Sequence, residues 1–428
     1  MNNVYVLNLE LQLIGIVDTY KSLIWSDRYK TLGDCEIYVP ANDNTIGLLQ
    51  MGYYLMIEND DMICRINKIE LDTSTEDGNY LIVTGIDVKS FLHQRIVWGT
   101  MNCNGSVEDF IRLMVTNTLI SPGMSYRKLV SPTSRQLMYL GNKANFTEIT
   151  TEQVSYKNVG EKIEEYCNSY GWGYKVTLND NTFYFYLYKG ANRTNNVVFS
   201  NDYENLSSTK YIEDDTNLGN TALIAGQGEG AARLNKMSGN GKSVDRYEIF
   251  VDARDLSTNI TYEELTGTYP GGTIVSVGSA YGYQMSSIDI QIIDDNQLAE
   301  LQTNYPNGTI VTIDGNRYYR ITNIVIANLE TNDPQSSTQV TLSNLIYGQY
   351  LYNRGYEKIA EYGETVSFEG SVEPNTTFIY GQDYFLGDIV TVKNEYGITA
   401  TARIVEVIKV YDENGYSIEP KFEYIELV

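Results

Sequence analysis

Short alternating apolar runs, each cut off by a turn, constrain this chain more than any other feature. Within the first hundred residues they are VYVLN at 4–8, LQLIGIV at 11–17, CEIYVP at 35–40, YYLMIE at 53–58, MICRINKIEL at 62–71 and NYLIVTGI at 79–86. Strands at this spacing predict a barrel or a sandwich. Glu76-Asp77-Gly78-Asn79 is a turn signal that joins the last two runs as a hairpin.

The same rhythm closes the chain. In ITATARIVEVIKV, Ile398, Ala400, Ala402 and Ile404 share one face, but Val405 and Val407 carry the apolar positions afterwards. A β-bulge near Ile404 produces that one-residue slip and bends the strand, while a central strand apolar on both faces is the alternative. Asn394-Glu395-Tyr396-Gly397 and Asp412-Glu413-Asn414-Gly415 join this strand to its two neighbours as hairpins.

Helical period takes over in the middle. After Ser106, an N-cap, Val107, Phe110, Ile111 and Met114 recur at i, i+3, i+4 and i+7, which predicts a helix of about four turns. A second helix starts at Asn158, with Glu161 as capping-box partner, buries Ile163, Tyr166, Cys167 and Tyr170, and stops at Gly171. WGYKVTL and TFYFYLY flank Asn179-Asp180-Asn181 as a hairpin. Residues 106–205 therefore read as a small α+β domain. Strands resume over 206–258. Residues 259–344 have turns at Pro270-Gly271-Gly272 and Asp314-Gly315-Asn316, a helix near Asn296 to Thr303, and strands at 308–313 and 318–327, and read as an inserted small domain. A helix over 345–362, weakened by Gly348 and Gly355, precedes four closing strands.

A chain of 428 residues exceeds what one core supports, so the reading is a β-rich multidomain (α+β) protein. Its two β-rich units are residues 1–105 and residues 206–258 with 345–428. No apolar run approaches the ~18–20 residues of a membrane span. The opening MNNVYVLNLELQL lacks a basic stretch before an apolar one, so folding in a cytoplasm is expected. Cys35, Cys64, Cys103 and Cys167 are widely spaced without a CxxC pair, which points to free thiols rather than disulfides or zinc.

The 55 acidic and 31 basic residues give a charge of −24, which opposes binding to a polyanion. That charge suits a wall past which DNA slides without sticking, and it equally suits a merely soluble surface. The 37 Tyr against 11 Phe and 3 Trp favour pleated, half-buried surfaces and interfaces.

The patterns that carry chemistry fail one by one. His93 is the only histidine, and a triad would also need a positioned nucleophile and an orienting acid, so it reads as structural. Gly278-Ser279-Ala280-Tyr281-Gly282 places alanine where a nucleophile elbow needs serine. Gly226-Gln227-Gly228-Glu229-Gly230-Ala231 follows the strand TALIA and formally matches G-x-G-x-x-A, but Ser238-Gly239-Asn240-Gly241 interrupts the helix a dinucleotide requires, so a turn is expected. Gly241-Lys242-Ser243 resembles the end of a phosphate loop, yet Lys236 stands where its first glycine belongs. Asp60-Asp61, Asp214-Asp215 and Asp294-Asp295 could supply a glycosidase pair, but read as solvated loop charges. Asp412, Asn414 and Gly415 lack the later ligands of a calcium loop. No catalytic, cofactor-binding or metal-ligating residue is expected, and the chain reads as no enzyme.

Several stretches together resemble one family. SLIWSDRYKTLGDCEIYVP at 22–40, GYYLMIE at 52–58, SFLHQRIVWGT at 90–100, NTALIAGQGEG at 220–230, DRYEIFVDARDLS at 245–257, EKIAEYGETVSFEGSV at 357–372 and the segment 384–422 are similar, in order, to the gene-product-thirty-seven-like siphovirus tail proteins. The resemblance implies a structural baseplate hub at the virion tail tip, assembled in the bacterial host cytoplasm. It implies a homotrimer in which each chain supplies two related tube-type β-barrels, so that six barrels cap a hexameric tail tube. Implied partners are a tail-tube or distal-tail protein, the tape-measure protein and receptor-binding or fibre proteins, with DNA passing through the lumen unbound. Residues 259–344 exceed the connection expected there, and, with the terminal strand last where some tail-associated proteins continue into a lytic or fibre-like domain, no resident lytic activity is expected. The competing reading is a tail protein that binds or hydrolyses host cell-wall polysaccharide, for which the aromatic richness and acidic pairs would be the evidence.

Overall fold

The computed structural model describes residues 3–74, 78–313, 315–363, 365–372, 377–396, 399–413 and 415–425. The first strands are β1 (Val4–Leu7), β2 (Leu13–Val17), β3 (Ser22–Arg28) and β4 (Asp34–Pro40); helix α1 (Asp43–Leu48) leads to β5 (Tyr54–Ile57), β6 (Cys64–Ser74) and β7 (Gly78–Asp87). Next come α2 (Ser90–His93), β8 (Thr100–Ser106), α3 (Val107–Val115), β9 (Met138–Leu140), β10 (Ile149–Ser155), α4 (Val159–Tyr170), β11 (Gly173–Asn179) and β12 (Thr182–Tyr188). The strands β13 (Val198–Ser200), β14 (Leu206–Asp214), β15 (Thr221–Ala225), β16 (Asn235–Gly239), β17 (Glu248–Asp252) and β18 (Asn259–Thr261) follow. Then come α5 (Tyr262–Thr268), β19 (Thr273–Val277), β20 (Ala280–Gln291), α6 (Asp295–Asn304), β21 (Thr309–Ile313), β22 (Asn316–Leu329) and β23 (Gln339–Leu342). Helix α7 (Asn344–Ala360), β24 (Thr365–Val372), β25 (Ile389–Lys393), β26 (Thr399–Asp412) and β27 (Gly415–Tyr424) complete the chain.

The slip in the terminal strand is a bulge. The β26–β27 register shifts between Ile404 and Glu406, leaving Val405 without a partner in that ladder. Before the bulge β26 pairs with β25, from Thr399 to Arg403; after it the strand pairs with β3, from Glu406 to Tyr411. The extra residue thus turns β26 from one neighbour to another, as bulges do. Through the β3–β26 ladder the strands of both chain ends merge into one sheet of 13, ordered β14-β24-β27-β26-β3-β4-β7-β6-β5-β1-β2, with β25 pairing both β26 and β13.

The expected β-rich, mixed α and β character holds, and the strands form five sheets, none of which closes into a barrel among the described residues. The hairpins at 74–78, 313–316, 393–399 and 412–415 are formed by paired strands, although residues 75–77, 314, 397, 398 and 414 at their tips lie outside the described residues. β3, with only Leu23 and Trp25 fully buried among polar neighbours, is a strand that alternation does not announce. Neither is β10, whose sequence ITTEQVS is buried in six of seven positions.

The helices start and stop as their caps dictate. Ser106 Oγ accepts from the Asp109 amide at 3.2 Å, and α3 runs nine residues before widening into a π-turn at Thr116–Ile120. Asn158 accepts from the Glu161 amide at 3.2 Å, and Gly171 ends α4 at φ +66°, a left-handed conformation that glycine adopts without a Cβ penalty.

Four apolar cores result. One lies under β1 and β3–β7 around Trp25, Ile37 and Val83. A second joins α3, α4, β11 and β12 around Ile163, Trp172 and Phe185, with Tyr54 and Ile63 reaching in from the first strands. A third, under the closing strands, centres on Tyr29, Phe199, Val390 and Phe422. The fourth unites α7, through Ile346, Tyr350 and Leu351, with Ile224 of β15 and with Ile290 and Tyr319 of the 259–342 strands. β15, β16 and β17 therefore form a three-stranded sheet against α7 and stand apart from the large sheet. All four cysteines are free and buried. Among the described residues no helix is long and apolar enough to cross a membrane.

Candidate functional site

The first two cores and the closing strands meet around a cleft of about 420 Å³. β3 contributes Asp27, the turn after β5 contributes Asp60 and Asp61, the end of β7 gives Asp87, and Lys89 follows. β11 and β12 add Tyr174, Lys175 and Tyr188, the 380–388 loop adds Tyr380, Phe385 and Asp388, and β26 adds Lys409.

Most of these charges are already paired. Lys409 binds Asp60, with both side chains nearly inaccessible. Lys175 binds Asp61 at 2.5 Å, and Lys89 lies 3.1 Å from Asp87 while donating to the carbonyls of Arg28 at 2.7 Å and Thr31 at 2.8 Å. Arg193 binds Asp388 at 2.5 Å. The Asp27 carboxylate makes no ion pair or hydrogen bond among the described residues. Burial, reinforced by Asp60 and Asp87 and opposed by Lys89 and Lys409, pushes it up to about 7. The cleft can hold a proton or a cationic group at Asp27. Among the described residues its lining includes no Ser, Thr, Cys or His to serve as a nucleophile–base pair.

A second polar centre lies where β10 and α4 meet α7. Lys162 reaches Glu152 and Glu357 at 2.6 Å each and Glu165 at 3.1 Å, and Tyr166 donates to Glu152. Asn353 donates to Thr150 Oγ1 at 3.0 Å and to the Thr151 carbonyl, and Arg354 pairs with Asp255 at 3.1 Å. Burial alone would raise Glu165, but Lys162 and Lys358 outweigh it and hold it at about 2. Burial and the neighbouring Glu152 push Glu357 up to about 8, against the pull of Lys162. This centre is a fastener: through Lys162 it ties α4 to Glu152 of β10 and to Glu357 of α7, while Glu165 adds a contact within α4 itself.

The residues that sequence reasoning weighed fall elsewhere and apart. His93 Nε2 lies 3.2 Å from Glu164 and 3.4 Å from the Tyr174 hydroxyl, and its ring packs flush on Gly160 between α2 and α4. The Gly226–Ala231 loop ends in a single 3-10 turn, wraps Tyr347, whose hydroxyl accepts from the Gln227 amide at 2.6 Å, and receives Arg233 on the Gly226 carbonyl. Gly241 and Lys242, but not Ser243, line another cleft, of about 570 Å³. Asp214 caps its own turn by accepting from the Thr216 amide at 2.9 Å. Two residues read as solvated are not: Asp60 is buried against Lys409, and Asp294 is buried while accepting from Gly239 and Gln297 amides at 2.8 Å each. Asp60 finds its partner 349 residues away, so no local pattern could reveal it; Asp294 caps α6 through the Gln297 amide, a local signal, but its burial against Gly239 comes from 55 residues away. Asp27, Lys162 and Glu357 were missed for the same reason. Among the described residues no group of three or more His, Cys, Asp or Glu could hold a metal ion.

Three solved structures are similar to this chain over nearly its whole length. The tail protein from Neisseria meningitidis MC58 is 12% identical, with a TM-score of 0.48 over 99% of this chain and 96% of that one. The 43 kDa tail protein of prophage MuSo2 from Shewanella oneidensis is 7% identical, with a TM-score of 0.49 over 98% of each chain. Prophage tail protein gp18 from Listeria monocytogenes EGD-e is 10% identical, with a TM-score of 0.46 over 100% of this chain and 96% of that one. Among curated proteins none matches. The family model described as Siphovirus ReqiPepy6 Gp37-like protein matches residues 3–422, and the chain belongs to that siphovirus tail protein family.

Proposed function

We propose that the chain is a structural hub of the tail tip, a subunit that caps the distal tail tube and anchors host-contacting proteins. The observation that carries the reading, beside family membership, is the β3–β26 ladder, because it fuses the strands of both chain ends into one wide sheet. A sheet with open edges at β2 and β14 needs neighbours to cover them, and a closed rotational assembly covers every copy equally. In this reading three copies form a ring, each supplying two tube-type barrel units. The first unit is residues 1–105. The second is residues 206–258 with 345–428, of which β14 and β24–β27 join the large sheet, with 259–344 as the inserted segment and 106–205 as the α+β unit between the two.

The partners in this reading are the tail-tube or distal-tail protein, the tape-measure protein and receptor-binding or fibre proteins, with DNA passing unbound through the lumen of the virion. The role needs no catalysis, cofactor or metal, and the paired carboxylates of the cleft suit that. Light scattering of the purified chain over a salt series, followed by particle imaging, tests the proposal. Trimers that strengthen as salt screens the charge of −24 are expected. A monomer at every salt and concentration, without binding to tail-tube protein, would sink it.

A further inference from the structure

Charge is distributed unevenly along this acidic chain. Residues 88–147 contain seven Lys and Arg but only two acids, Glu108 and Asp109, whereas the remainder contains 24 basic and 53 acidic residues. Part of that basic stretch gathers on one exposed patch. The Arg127 guanidinium lies 4.1 Å from the Trp98 ring centre and donates to the Ile96 carbonyl at 2.7 Å. Arg95 Nε reaches the Arg127 carbonyl at 3.4 Å. Tyr126 stands edge-on to Trp98 at 6.4 Å. Trp98 is 49% exposed, Tyr126 74%, and Ile96 and Met124 are also exposed.

Tyr156 extends the patch across the ladder, its amide 3.3 Å from the Gly99 carbonyl, and is 71% exposed at φ +53°. A bulky residue held in that left-handed region and turned to solvent is a strained arrangement that folding alone does not explain. Among the described residues no carboxylate pairs with Arg95 or Arg127. Exposed Trp, Tyr and Arg together are the composition of an interface hot spot, and two unneutralised guanidinium groups call for an acidic counterpart.

We propose that this Trp98–Tyr126–Arg127 patch is the seam by which one copy of the chain grips an acidic surface of the next. The inference rests on the ring reading above and names the face that makes it. An acidic complement is available on every copy, since all the net negative charge lies outside residues 88–147. Two copies cannot meet patch to patch, because Arg95 and Arg127 would then face their own kind. The contact is therefore heterologous, head to tail, which is the kind that closes rings.

The test uses the full chain carrying Tyr126→Cys, whose native cysteines are all buried. A benzophenone maleimide is attached there, labelled and unlabelled isotopic copies are mixed, and the photoproducts are mapped by mass spectrometry. Cross-links between copies, from position 126 to acid-rich segments, are expected. Arg127→Glu and Tyr126→Ser, compared with wild type at one fixed salt, are each expected to weaken association by about tenfold or more. Tyr126 is exposed enough that its loss leaves the fold intact. If rings form but position 126 labels no second copy, the seam is elsewhere while the hub reading stands. Should wild type never associate, the ring reading itself fails. Capture of purified cell-wall polysaccharide by the patch, lost in Tyr126→Ser, with no cross-link between copies, would overturn the inference in favour of a saccharide platform.

Discussion

The backbone amide of Tyr29 donates to the carbonyl of Val405 at 2.9 Å, so the residue omitted from the β26–β27 ladder is held by the chain leaving β3. The bulge is thereby fixed from two sides. Ile404 and Val407 are both fully buried although three positions apart, which plain alternation forbids. Deleting Val405 would restore alternation but remove the carbonyl that holds Tyr29 and the bend by which β26 passes from β25 to β3. We expect a loss of about 1–3 kcal/mol, read from urea unfolding of the purified variant. A loss below about 1 kcal/mol would mean the strand re-registers without cost.

Lys162 and Glu357 are partners of unequal importance. Lys162→Met leaves Glu152, Glu165 and Glu357 facing one another inside the protein, at a cost of about 3–5 kcal/mol. Glu357→Gln costs much less near neutral pH, because burial already pushes that carboxyl up to about 8 and the amide resembles its protonated form. Urea midpoints of the two variants at pH 7 compare them directly, and equal losses would contradict the assignment.

The cleft acid gives a pH signature of definite sign. An ordinary aspartate titrates near ~3.9, whereas Asp27 is pushed up to about 7, so between those values the folded chain keeps a proton that the unfolded chain has released. Its contribution to stability is therefore present at low pH, falls as pH rises to about 7, and is level above. Glu357, up to about 8, adds to the same trend, while Glu165, held at about 2, acts only below the usual carboxylate range. Asp27→Asn is expected to flatten the profile and to gain on wild type from pH 5 to 8. Parallel profiles for the two proteins would refute it.

Gly190 is a contact, not a hinge. A Cβ there would sit 1.9 Å from the Gly387 carbonyl oxygen, backbone against backbone, and the loops are tied by Asp388 accepting from the Ala191 amide at 2.7 Å. Gly190→Ala should lower the melting temperature markedly, by about 2–4 °C for each kcal/mol lost. An unchanged melting temperature would show that the two loops separate freely.

Legibility followed the range of the forces. The bulge near Ile404, the Ser106 and Asn158 caps and the Gly171 stop were readable because each is settled within a few residues. β3 was not, because Ser22, Ser26, Asp27 and Arg28 break its alternation and its neighbour β26 arrives from the far end of the chain. β10 was opaque for a related reason. Thr150, Glu152 and Gln153 look like surface residues, and partners from other elements, among them Asn353, Lys162, Tyr166 and the Ser257 amide, make their burial tolerable. The cleft inherits both difficulties, since Asp27 lies on β3 and its neighbours are scattered from Asp60 to Lys409.

The ladder between β3 and β26 also sets a timetable for synthesis. Arg28 meets Glu406 across 378 residues, so the N-terminal strands leave the ribosome long before their partner exists. At about 5–20 residues per second the wait is roughly 20–75 s. During it β3 shows an open hydrogen-bonding edge beside Trp25, while the middle of the chain can already condense on its own cores. A ribosome that stalls before residue 399 would release a chain with that edge uncovered, prone to pair with other nascent copies. Yield of soluble protein should therefore depend on how quickly the codons between β3 and β26 are read.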